Sequence, residues 1–226
     1  MIRLKKLEIG YRQKKSPVSV FKELDALFMP GDLVGLMGDN GVGKSTLLKT
    51  ITGNIKPLSG EIILKGKNIN TFTSAALAQC ISVVVTEKIG GFNLTVWDVV
   101  ASGRIPYINI FGKLSGKDEQ IITECLGQLN LWHLKDKFID ELSDGQRQKV
   151  MIAKSLSQQT PVIILDEPTA FLDYNSKHQL FKILKELCST KQKLIIVSSH
   201  DLDLMKPYIT RSVTLGDNNT AEISQS

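Results

Sequence analysis

Apolar residues recur at two spacings along this chain. Ile2, Leu4, Leu7 and Ile9, then Val18, Val20, Leu24 and Leu27, come at roughly every second or third position on either side of Ser16 and Pro17. Alternation of this kind is the mark of strands with one buried face, and the Ser-Pro pair marks a turn, so the opening predicts an antiparallel ribbon. After Asp32 the alternation stops. Leu33–Met37 is a short apolar run, a Gly-rich turn follows, and Lys44–Ile51 carries Leu47, Leu48 and Ile51 at helical spacing, which together predict strand, loop and helix. Further apolar runs at 81–85 and Val162–Leu165 predict buried strands. Between them Val96, Val99, Val100, Ile121, Ile122, Cys125, Leu126 and Leu129 recur at three or four, a helical insertion inside an α/β core. The last third predicts a helix at 176–188, a strand at 194–197, a short helix at Leu202–Met205 and a final strand pair near Val213 and Ala221. No internal repeat or low-complexity tract is present.

Composition narrows the class. At 226 residues, 42% hydrophobic and 23% charged, the chain has the make-up of one globular domain, which excludes disordered, collagen-like and coiled-coil architectures. Its apolar runs fall far short of the ~20 residues a membrane span needs. Residues 1–11 lack the continuous apolar core of a secretory signal, so a cytosolic protein is expected. The net charge of +5 is mild, and only five of the 28 cations are Arg, thin provision for bidentate readout of nucleic acid. No nucleic-acid partner is expected. Cys80, Cys125 and Cys188 are odd in number and far apart, which suits neither a disulfide framework nor a zinc site and predicts reduced, partly buried thiols.

The chemistry begins at Gly38-Asp39-Asn40-Gly41-Val42-Gly43-Lys44-Ser45, which satisfies G-x-x-x-x-G-K-[ST] between a predicted buried strand and a helix. Glycines let successive backbone N–H groups curl around an anion, the helix adds the positive end of its dipole, and Lys44 brings a cation to the β and γ phosphates. Ser45 can then ligate Mg²⁺, with Thr46 beside it in the site. Val162–Leu165 ends in Asp166 and Glu167. Carboxylates at the end of a buried strand suit a phosphoryl-transfer site: Asp166 to support the Mg²⁺ shell, Glu167 to polarise the attacking water. His200 follows a third apolar run and should emerge at the carboxyl edge of the sheet, within reach of a γ-phosphate, although a histidine there is more often a hydrogen-bonded surface residue.

Leu142-Ser143-Asp144-Gly145-Gln146, lying before Asp166, resembles the signature motif of ABC-family ATPases. Taken with the Gly38–Ser45 loop, Asp166-Glu167 and His200, the order and spacing resemble that family over nearly the whole chain. The resemblance implies an α/β fold with a P-loop NTPase core and mainly parallel sheet (1–85 and 161–226), an N-terminal antiparallel β subdomain and an inserted helical subdomain (86–160), all one domain. It implies ATP and Mg²⁺ as ligands, Tyr11 stacking on adenine, Gly38, Asn40, Gly41, Gly43, Lys44, Ser45 and Thr46 around the phosphates, Glu167 as catalytic base with His200 and Lys44, and Asp173 in a dimer-contact loop. Ser143, Gly145 and Gln146 would act on the nucleotide of a second copy, in an ATP-bound homodimer that closes head to tail. Where many relatives carry a glutamine that contacts Mg²⁺, this chain has Thr86 and Glu87, whose hydroxyl and carboxylate could reach the metal shell with weakened coupling. Asp144 stands where glycine is commoner and Asp39 where proline is commoner, and a carboxylate near phosphate is slightly unfavourable.

The stretch 102–107 with Phe111-Gly112, and the run from Gln159 to Asp173, are similar to ATPases of iron-siderophore, haem and cobalamin importers. Read without that similarity, Arg104 would be a solvated cation and Tyr107 a core aromatic. The resemblance implies a peripheral protein on the cytoplasmic face of the inner membrane, beneath an integral membrane permease and served indirectly by a substrate-binding protein. Three alternatives remain open: a soluble ABC-type ATPase acting on nucleic acid or ribosomes, an exporter subunit, and a nucleotide-binding regulator.

Overall fold

The computed structural model describes residues 1–12, 16–85, 93–108, 112–216 and 221–225. Strands β1 (Ile2–Arg12) and β2 (Pro17–Phe28) form the expected ribbon, running from the Ile2/Phe28 pair to the Arg12/Pro17 pair. The ribbon is half of a larger sheet. Strand β3 (Leu33–Met37) leads to α1 (Lys44–Ile51), after which β4 (Ser59–Leu64) and β5 (Lys67–Asn68) return to β1, giving the order β2-β1-β4-β5. Helix α2 (Ser74–Ala78) precedes β6 (Ile81–Val84).

The insertion holds α3 (Val96–Ala101), a 3₁₀ segment (Ser102–Tyr107), α4 (Gly116–Gln128) and α5 (Asp144–Ser157), with α3, α4 and α5 packed on one another. The chain then alternates β7 (Val162–Leu165), α6 (Tyr174–Lys191), β8 (Leu194–Ser198), α7 (Leu202–Met205), β9 (Arg211–Leu215) and β10 (Ala221–Gln225). The second sheet has the order β10-β9-β3-β8-β7-β6, parallel apart from the β9/β10 pair.

Alternate residues of these strands feed two separate cores. Leu33, Ile163, Leu165, Ile195 and Val197 pack with the helices α3 to α6, while Val34, Leu36, Ile164, Leu194 and Ile196 pack with α1 and the first sheet. Every residue of β3, β7 and β8 is buried, which explains their near-continuous apolar sequences. The strand order places the carboxyl ends of β3, β8 and β7 side by side. The three cysteines are free and buried, deeper than the partly buried thiols expected. Burial raises the Cys125 thiol to about 11 and the Cys188 thiol to about 12. Among the described residues, no helix is long and apolar enough to cross a membrane.

Candidate functional site

Because β8 lies between β3 and β7, the loop after it falls between the Gly38–Ser45 loop and the Asp166-Glu167 pair. Open α/β sheets gather ligands at such an edge. The β3–α1 loop needs its glycines. Gly38, Gly41 and Gly43 have φ of +138°, +84° and +114°, and a Cβ on Gly43 would stand 2.3 Å from Val20 Cγ1. Lys44, only 6% exposed, donates from Nζ to the carbonyls of Gly38 at 2.7 Å and Asp39 at 3.1 Å, so its charge lies across the loop. From there Nζ is 3.7 Å from Glu167 Oε1.

Glu167 is held from several sides. Its φ of +50° is left-handed, a conformation that a side chain other than glycine adopts at a cost and that clusters at functional sites. Its backbone N–H donates to Ser198 Oγ at 2.8 Å, and the same hydroxyl donates to Asp166 Oδ1 at 2.6 Å. Oε2 shares a 2.9 Å hydrogen bond with His200 Nδ1. A carboxylate positioned by Lys44 and His200 at the mouth of an anion-binding loop can accept a proton from a water.

Tyr11, Asn40, Gly41, Gly43, Lys44, Ser45, Thr46 and Glu167 line one open pocket of about 320 Å³. Tyr11 is 44% exposed there, with its hydroxyl 2.8 Å from Thr46 Oγ1, so its ring is braced against α1. Gly38, Asp39 and Asn40 border an adjoining pocket with His200. Ser45 is exposed in the first turn of α1 and lines the pocket with Tyr11. No cluster of three or more His, Cys, Asp or Glu able to hold a metal occurs among the described residues. The Ser45 hydroxyl and the Asp166 carboxylate are hard oxygen donors of the kind that suit Mg²⁺, which is commonly held by one or two protein oxygens together with phosphate and water. Thr86 and Glu87 lie outside the described residues.

Ser143, Gly145 and Gln146 are not part of this pocket. They line another, together with Leu172 and Ser176. Ser143 N-caps α5 in a reciprocal box: its Oγ accepts from the Gln146 amide at 3.3 Å, and Gln146 Oε1 accepts from the Ser143 amide at 3.1 Å. Asp173 N-caps α6, where hydrogen bonds from the Ser176 backbone and hydroxyl hold its carboxyl below the ordinary range. The predicted residues thus divide between two surfaces of the chain.

Residues 21–170 match the family model described as ABC transporter. The chain belongs to the ABC transporter ATP-binding family. It is an ATP-binding, ATP-hydrolysing cassette. It is 41% identical over 204 residues to an uncharacterised ABC transporter ATP-binding protein of Methanocaldococcus jannaschii, covering 90% of this chain and 69% of that one. It is 32% identical over 214 residues to the ferric enterobactin transport ATP-binding protein of Escherichia coli, covering 95% and 78%. Among solved structures, an ATP-binding cassette in a dimeric post-hydrolysis state with ADP and Pi aligns with a TM-score of 0.83 at 26% identity, covering 100% of this chain and 98% of that one.

One departure from the family pattern has a local explanation in this cassette. The Asp144 carboxylate is engaged by Arg147 Nη1 at 2.8 Å, which offsets the negative charge introduced at the start of α5. Arg104 is not solvated, and Tyr107 is not a core aromatic. Arg104 is 4% exposed and donates to Asp118 Oδ1 at 2.8 Å, the Ser157 carbonyl at 2.6 Å and Gln159 Oε1 at 3.3 Å, while Tyr107 is 39% exposed with its ring centroid 4.1 Å from the guanidinium carbon. The site residue missed from the sequence is Ser198. A serine at the end of an apolar run reads as a strand leaving the core, yet it is fully buried.

Proposed function

We propose that this cassette energises uptake of a metal chelate, such as an iron-siderophore, haem or cobalamin, through a separate integral membrane permease. Two copies close head to tail on ATP at the cytoplasmic face of the membrane, and a substrate-binding protein delivers cargo to the permease. The observation that carries the dimeric reading is the division of motifs: Lys44, Glu167 and His200 converge on one surface, while Ser143, Gly145 and Gln146 line another. A site completed by a second copy accounts for both surfaces. The name of the ferric enterobactin relative supports the cargo class.

In this reading the Gly38–Lys44 loop and the N-terminus of α1 receive the phosphates, Tyr11 stacks on the base, and Lys44 exchanges its loop carbonyls for phosphate oxygens. Ser45 and Asp166 would hold Mg²⁺, which when bound neutralises phosphate charge, with Thr86 and Glu87 as further candidates. Glu167 accepts a proton from the attacking water, and His200 keeps its carboxylate aimed. Across the closed dimer, Ser143, Gly145 and Gln146 present the N-terminus of α5 to the partner's nucleotide, and Asp173 contacts the partner near the same place. The helical insertion at 86–160 lies against the permease and the rest forms the nucleotide-binding core.

The test is to purify the tagged cassette from gently solubilised native membranes and identify near-stoichiometric partners by mass spectrometry. A polytopic permease whose binding protein takes up iron chelates, haem or cobalamin is the expected result. Recovery of only ribosomal or DNA-associated proteins would overturn the transport assignment, and a permease that only exports would overturn its direction.

A further inference from the structure

We infer that Lys177 is a positioning residue for ATP hydrolysis, holding the His200 loop through Asp201 and tying it to the helix that begins at Asp173. This rests on the reading of His200 and Glu167 as hydrolytic residues. Lys177 stands four positions after the Asp173 cap, one turn into α6 and on the same face. Its Nζ donates to Asp201 Oδ2 at 2.6 Å, with side chains only 20% and 26% exposed. Partial withdrawal from water strengthens such a pair relative to one on the open surface.

Asp201 directly follows His200 and is the anchor of its loop. Its N–H donates to Ser199 Oγ at 3.0 Å, and its carbonyl accepts from the Met205 N–H at 3.1 Å, fixing the backbone. The Asp201 carboxylate also stands near the histidine, with Oδ1 3.9 Å from His200 Nε2, while His200 Nδ1 is bonded to Glu167 Oε2 at 2.9 Å on the other side. The half-exposed imidazole therefore lies between two carboxylates that compete for it. Lys177 decides the contest by holding Asp201 on α6. Without that cation, Asp201 is free to rotate toward His200 Nε2 and draw the ring from Glu167. Because the same helix is capped by Asp173, a contact made on the Asp173 turn is joined through one turn of α6 to the residue that aims Glu167.

The experiment is single-turnover ATP hydrolysis by the full chain at high protein concentration, comparing Lys177→Met, Lys177→Arg and Asp201→Asn, with Lys177→Met repeated in a His200→Ala background. Lys177→Met keeps the length and removes the charge. It is expected to slow the hydrolytic step roughly tenfold, less than deletion of a general base, while the half-saturating ATP concentration and the melting temperature change little. Lys177→Arg should recover most of the rate, and Lys177→Met should slow His200→Ala no further. An unchanged rate in Lys177→Met, or the same slowing with and without His200, would overturn the inference. If Lys177→Met does not fold, Lys177→Gln tests the same pair, and a normal rate there overturns the inference equally. Asp201→Asn, which removes the competing carboxylate and leaves the loop's backbone bonds in place, should hydrolyse at a near-normal rate, and a tenfold slowing there would show that Asp201 does not compete for His200. Undiminished hydrolysis in His200→Ala would instead remove the hydrolytic role of His200, and this link with it.

Discussion

The Ser198 hydroxyl donates a 2.6 Å hydrogen bond to Asp166 Oδ1 from a position with no solvent exposure. The same oxygen accepts the Glu167 amide, so one side chain on β8 sets both the carboxylate of one acidic residue and the left-handed backbone of the next. Ser198→Ala leaves a partly buried carboxylate short of a donor, a loss of about 1 to 3 kcal/mol. In a domain of this size that corresponds to a melting temperature lower by about 3 to 9 °C. Turnover should fall with it, and Ser198→Thr, which keeps a hydroxyl on a strand-favouring side chain, should restore both. Equal melting and turnover in the alanine variant would show that the two hydrogen bonds orient nothing.

Glu167→Gln keeps the shape of the side chain and removes its basicity. Phosphate release should drop by roughly 10² to 10⁴, the usual worth of a general base. ATP binding should persist, and gel filtration with ATP should show an accumulating dimer. Normal phosphate release from this variant would take the catalytic role away from Glu167.

Tyr11 offers a test of the base-stacking reading that separates ring from hydroxyl. Tyr11→Phe removes the hydrogen bond to Thr46 but retains the aromatic face, so ATP affinity should fall by no more than a few fold. Tyr11→Ala removes the face and should weaken binding about tenfold, the scale of one base–aromatic stack of ~1 to 3 kcal/mol. Fluorescent nucleotide titration distinguishes the two, and equal affinity in all three proteins would move the base elsewhere.

Asp118 provides a pH test of the helical insertion. Hydrogen bonds from the Ser115 hydroxyl and amide, with a further contribution from Arg104, hold its carboxyl down from the ordinary 3.8 to about 2. A depressed carboxylate contributes stability that is present above its unfolded value and lost as pH falls through the folded one. Its contribution should therefore disappear between about pH 4 and pH 2. Thermal melts across that window should show a smaller loss for Asp118→Asn than for the unaltered protein, and parallel curves would contradict the assignment.

Much of this architecture is legible in the sequence because its central strands are buried on both faces and its phosphate loop requires glycine. Leu33–Met37, Val162–Leu165 and the run from Leu194 leave few alternatives to strand, and Gly38 to Ser45 leaves few alternatives to an anion loop. Less legible was β4, where Ile62 and Leu64 alternate inward over only a few positions before the Lys65-Gly66 turn, in which both residues take positive φ and the glycine is the signal that could have revealed the hairpin. Helix α2 has five residues, none of them buried, so no apolar periodicity marks it. The helix read at 176–188 runs from Tyr174 to Lys191 because the Asp173 cap and a left-handed Gln192 set its ends. Pairings such as Ser198 with Asp166, Lys177 with Asp201 and Arg104 with Asp118 depend on strand order and loop geometry. No local spacing encodes them.

The buried Arg104 has a consequence for how this protein comes apart. One guanidinium fastens the 3₁₀ segment at Ser102–Tyr107 to the start of α4 through Asp118 and to the end of α5 through Ser157, with Gln159 just beyond. Separating any one of these segments strands a charge in a nearly dry site, a penalty large enough to deter piecemeal opening. Fluctuations here are then collective, and amide protons from about Ser102 to Gln159 should exchange with solvent as a single cooperative block rather than helix by helix.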